Sequence, residues 1–97
     1  MQIKVALQDG FDGDNVVIRV DGVEAYHGEQ LTTRTQISPA AGTRLEVPDR
    51  PFTLEVDVTT RRVYETLRLD PHAQPNVTLS LRDGELVAAF PERLGLP

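Results

Sequence analysis

Hydrophobic and polar residues alternate with a period of two along most of the chain, which is the pattern of strands with one buried face. Ile3, Val5 and Leu7 alternate with Gln2, Lys4, Ala6 and Gln8. The run from Asp9 to Asn15 (Asp-Gly-Phe-Asp-Gly-Asp-Asn) then breaks the pattern with turn-forming residues. Val16, Ile18 and Val20 resume it, and Asp21-Gly22 predicts a two-residue hairpin of type I′, in which both central residues need positive φ. Closing the chain there places Val20 opposite Val23, Ile18 opposite Ala25 and Val16 opposite His27. On the other face Arg19 meets Glu24 and Val17 meets Tyr26. A second Asp-Gly hairpin, around Asp83-Gly84, sets Arg82 against Glu85, Leu81 against Leu86, Leu79 against Ala88 and Val77 against Phe90.

Between the hairpins the signal is uneven. Leu31, Thr33, Thr35 and Ile37 alternate weakly, and Ser38 to Gly42 interrupts them before Leu45 and Val47. Pro48 and Pro51 bracket a turn. Phe52, Leu54, Val56 and Val58 form the cleanest strand, and Thr59 to Arg62 turns it back towards Val63, Leu67 and Leu69. Asp70 to Pro75 reads as a polar loop, and the tail with Leu94 and Leu96 predicts no element. No stretch has the period of an amphipathic helix. Eight or nine short strands separated by turn signals predict an all-β fold: a small antiparallel or mixed two-sheet sandwich, immunoglobulin-like or prealbumin-like. Strand order stays open. A length of 97 residues predicts a single domain over 1–97.

The run Val16 to Gly22, and Val47-Pro48 with the strand from Phe52 to Val58, resemble the hairpins of bacterial β-sandwich accessory domains. The resemblance covers about half the chain and carries no functional residue across.

Composition narrows the function by exclusion. The absence of cysteine removes disulfides, thiolate nucleophiles and cysteine-bound metals. A net charge of −5 disfavours nucleic acid, whose binding needs surplus Lys and Arg to displace phosphate counterions, and equally disfavours an anionic membrane surface. No leader pattern opens the sequence and no apolar run has membrane length, so a cytoplasmic protein is expected.

Candidate chemistry is sparse. The two histidines, His27 and His72, lie far apart, and neither has the close partner that zinc would require. His27 is expected to be partly buried opposite Val16, and His72 solvated. Ser38 and Ser80 lack the setting of an activated nucleophile. The acidic loop is the strongest ligand candidate, with Asp9, Asp12, Asp14 and Asn15 as oxygen donors to calcium. It departs from the EF-hand, since the fifth and twelfth positions counted from Asp12 are Val16 and Val23. The competing reading is a conformational turn, which is favoured. Phe11 is expected to fold back over an end of the sandwich. Val17 and Tyr26, as neighbours on the outward face of the first hairpin, form a candidate partner-binding spot. The arginines, Arg61-Arg62 among them, read as solvated ion-pair partners, and Asn76-Val77-Thr78 matches a glycosylation sequon by coincidence.

Three functional classes follow. The leading one is a non-catalytic interaction or accessory module that binds another protein, or a second copy of itself, through an apolar patch or an open sheet edge. The second is a sandwich binding calcium or a small ligand at residues 9–15. The third is a small enzyme without a recognisable catalytic set.

Overall fold

The computed structural model describes residues 1–32 and 42–92, and contains strands but no helix among them. Eight strands follow in order: β1 (Gln2–Leu7), β2 (Asp14–Val20), β3 (Val23–Leu31), β4 (Gly42–Glu46), β5 (Phe52–Val58), β6 (Val63–Leu69), β7 (Asn76–Arg82) and β8 (Glu85–Ala89). They form two four-stranded sheets, ordered β4-β1-β7-β8 and β3-β2-β5-β6. Every pairing is antiparallel except that of β1 with β7, which makes the first sheet mixed. The expected small sandwich is therefore the fold. Its first two strands lie in opposite sheets, unlike the immunoglobulin order, in which they share one. Of the two expected types, the arrangement is the prealbumin-like one.

The alternation read from the sequence fills the space between the sheets. Ile3, Val5 and Leu7 from β1 and Val77, Leu79 and Leu81 from β7 meet Val16 and Ile18 from β2 and Phe52, Leu54, Val56 and Val58 from β5. The β5 residues are wholly buried, as their clean pattern predicted. Phe11 joins this core at 1% exposure, folded back from its loop as expected.

Both Asp-Gly hairpins form, with the left-handed backbone that their turns demand: φ is 50° and 85° at Asp21 and Gly22, and 52° and 78° at Asp83 and Gly84. The second hairpin keeps the expected register from Arg82 opposite Glu85 through Leu79 opposite Ala88, and the ladder ends at Thr78 and Ala89. The first does not. Val20 opposes Val23 and Arg19 opposes Glu24, but the register then slips by one residue, so that Ile18 meets Tyr26, Val17 meets His27 and Val16 meets Gly28. Ala25 is the extra residue of a β-bulge. Because side chains alternate, a one-residue slip moves every later residue of the strand to the other face.

The alternation from Thr33 to Ile37, Ser38, Arg34 and the tail from Arg93 lie outside the described residues. No helix among those described is long and apolar enough to cross a membrane.

Candidate functional site

The acidic loop between β1 and β2 closes one end of the sandwich. Asp14 has the same phase as Val16 and points inward, with 2% of its surface exposed. A bare carboxylate there would be costly, and four hydrogen bonds from three donors satisfy it. Arg61 Nε, from the turn between β5 and β6, donates to both oxygens at 2.9 and 3.1 Å. The Thr60 hydroxyl donates at 2.6 Å and the Asp12 backbone N–H at 2.8 Å. Burial pushes the Asp14 carboxyl up, but the hydrogen bonds and the charge of Arg61 outweigh it and hold the group below the usual carboxylate range. Arg61 Nη2 also reaches the Gly10 carbonyl at 2.9 Å, fastening the far side of the loop. The pairing joins residues 47 positions apart, so no local pattern could announce it. Arg61 is thus a bridging residue, where sequence reasoning expected a solvated one.

The other proposed calcium donors are dispersed. The Asn15 side-chain oxygen accepts the Gln30 N–H at 3.0 Å, and the Asp9 and Asp12 side chains face solvent. Backbone contacts complete the loop: the Asp9 carbonyl accepts the Leu81 N–H at 2.8 Å, and Gly13 N–H donates to the Thr32 hydroxyl at 3.0 Å. Among the described residues, no three His, Cys, Asp or Glu side chains converge as a metal-binding group.

The bulge at Ala25 separates the other candidate pair. Tyr26, opposite Ile18, lies on the inner face and is half-buried against the core, which pushes its phenol up. Gly28 makes room for it, since a Cβ there would sit 2.5 Å from the Tyr26 hydroxyl. Val17 stays on the outer face with 8% exposure. Val17 and Tyr26 therefore do not form the shared outward spot that the unbulged register predicts. The mid-strand Gly28 is the one sequence signal of a bulge or close approach in this strand.

The same slip moves His27 away from Val16. It stands opposite Val17, exposed, and 3.6 Å from Glu29. His72 is solvated as expected and pairs with Asp49. Asn76 is buried, and its amide nitrogen donates to the Glu92 carbonyl at 2.8 Å, so the sequon nitrogen is engaged in the folded chain. Two open grooves mark the seams between the sheets. One of about 450 Å³ runs along Val20, Val23, Ala25 and Leu45, and one of about 440 Å³ along Tyr64, Glu65, Gly84 and Leu86.

Among the described residues, the four edge strands differ in how they are guarded against pairing with another chain. β3 is bulged at Ala25 and again irregular near Gln30, where φ is 53°. β4 carries exposed Arg44 and Glu46. β6 carries Glu65 opposite Val56, a charge on the inward phase of an edge. Each device discourages strand addition. β8 is the least guarded among the described residues: Glu85 opens it and Pro91 follows it, but Leu86 to Ala89 carry neither a charge nor a bulge, and Val87 and Phe90 are each 42% exposed. This edge did not stand out in the sequence, because its apolar residues read equally well as core. No protein-family model matches the chain, and no curated protein is significantly similar to it.

Proposed function

We propose that the protein is a non-catalytic interaction module that receives an extended segment of a partner protein along β8. The carrying observation is the stretch of that edge from Leu86 to Ala89, which has neither a charge nor a bulge and which, among the described residues, is less guarded than the other three edges. Added strands gain main-chain hydrogen bonds from the edge and specificity from alternate side chains. The outward Val87 and the inward-phase Phe90 supply apolar contacts, one to each face of an added strand. The net charge of −5 favours partners with basic residues flanking an apolar core segment.

A displayed library of extended peptides, selected on the folded protein, tests this reading. The selected peptides are expected to alternate apolar residues, to shift the amide resonances of β7 and β8, and to lose binding to Val87→Lys. That variant puts a charge on an already exposed position and keeps the wild-type melting temperature. Peptides retained by Val87→Lys, shifts mapping elsewhere, or a selection that yields no binder would overturn it.

A further inference from the structure

The chain contains four Asp-Gly pairs: Asp9-Gly10, Asp12-Gly13, Asp21-Gly22 and Asp83-Gly84. Among aspartyl dipeptides Asp-Gly is the one most open to attack by its own backbone, because glycine places no side chain beside the following amide nitrogen. That attack needs a carboxyl free to rotate towards the nitrogen and a nitrogen free to move. The fold restrains three of the four pairs.

At Asp9-Gly10 both carbonyls are held, one by the Leu81 N–H at 2.8 Å and the other by Arg61 at 2.9 Å. Gly10 is also pressed against β7, since a Cβ on it would lie 2.0 Å from the Leu81 carbonyl oxygen. At Asp12-Gly13 the nitrogen that would attack donates to Thr32 Oγ1 at 3.0 Å. At Asp21-Gly22 the carboxylate is held on both oxygens, by the Thr53 N–H at 2.9 Å and Arg50 Nη2 at 3.1 Å. Those contacts also keep it ionised, and the ionised form is the poorer electrophile. At Asp83-Gly84 neither restraint exists among the described residues: the carboxylate has no hydrogen bond or ion pair, the Gly84 N–H has no acceptor, and a Cβ on Gly84 would meet open space.

We propose that Asp83-Gly84 is a site of spontaneous backbone modification, converting to isoaspartate through a cyclic imide. The Gly84 nitrogen bonds to Cγ of Asp83, and a carboxyl oxygen leaves as water with the amide proton and the carboxyl proton. Water then opens the ring. Opening at Cγ restores aspartate. Opening at the α-carbonyl breaks its bond to nitrogen and leaves the chain running through Cβ and Cγ, with a free α-carboxylate. One water is lost and one gained, so the mass is unchanged and nothing is oxidised. The product adds a methylene to a two-residue turn whose geometry sets the β7–β8 register, and it moves the one carboxylate at the hairpin tip from the side chain onto Cα without changing the charge.

The test is to age the folded protein at neutral pH and body temperature, then map isoaspartate with a protease that cleaves before aspartate but not before isoaspartate. Isoaspartate should accumulate at Asp83 about tenfold faster than at the other three sites, since each restrained pair must first break a hydrogen bond. In concentrated urea the four rates should converge, and Arg50→Ala should accelerate the reaction at Asp21 in the folded chain. Equal rates in the folded protein would overturn the proposal. So would an unchanged lead for Asp83 in urea, which would assign the preference to local sequence and not to the fold.

Discussion

The two Asp-Gly hairpins have the same turn backbone and are held by opposite means. In the first, the tip is fastened from outside: Asp21 accepts hydrogen bonds from Thr53 and Arg50, and its own N–H donates to the Thr53 carbonyl at 2.9 Å. Its return strand bulges, and Tyr26 packs only partly into the core. In the second, the tip is untethered, while β7 behind it is buried along both faces from Asn76 to Leu81. One hairpin is secured at its turn and the other along its strand. A turn motif therefore fixes local geometry, and the surroundings decide where the holding energy resides.

Shortening a core residue in each hairpin gives the largest contrast. Leu79→Ala, at a fully buried position of β7, should cost about 2–5 kcal/mol in urea unfolding, a large part of what a domain of this size commands. Tyr26→Ala, on the half-buried return strand, should cost about 1–3 kcal/mol. Equal costs would mean that the bulge does not loosen the first hairpin.

A smaller contrast comes from the tips. Alanine at either aspartate loses a side chain that tolerates the left-handed backbone. Asp21→Ala also removes the acceptor for Thr53 and Arg50, so its melting temperature should fall further than that of Asp83→Ala. A greater loss at Asp83 would reverse the assignment.

The smallest effect is electrostatic. The Thr53 N–H, aided by Arg50, holds the Asp21 carboxyl below its ordinary range, despite the opposing effect of burial. A carboxyl depressed in the folded state stabilises above its unfolded value, about pH 3.9, and that contribution is lost as pH falls through the folded value. Asp14 behaves in the same sense. Stability measured from neutral to strongly acidic pH should fall on the acid side, and Asp21→Asn and Asp14→Asn should each flatten part of that fall. An acid limb unchanged in both variants would show that neither carboxylate contributes to it.

What the sequence made legible follows from the range of each interaction. Alternation and Asp-Gly turns are local, so the strands, the inward face of β5 and the register of the second hairpin from Arg82–Glu85 to Leu79–Ala88 could be read directly. The bulge at Ala25 could not, because Val23 to Tyr26 alternate acceptably in either register, and only the packing of Tyr26 over Gly28 selects one. The partnership of Asp14 with Arg61, and the contrast between more and less guarded edges, depend on strand order. That order is set by how eight amphipathic strands share one core.

The single parallel pairing has a kinetic consequence. β1, made first, lies between β4 and β7, and Lys4 pairs with Asn76 near the far end of the chain. During synthesis the first sheet therefore cannot close until β7 has emerged, and the second sheet, complete at Leu69, is available earlier. Such long-range closure makes folding slow compared with a helical domain of equal length. A nascent chain ending before β7 would expose the apolar stripe of β1, and the β7–β8 hairpin acts as the lock on a molecule whose other sheet is already assembled.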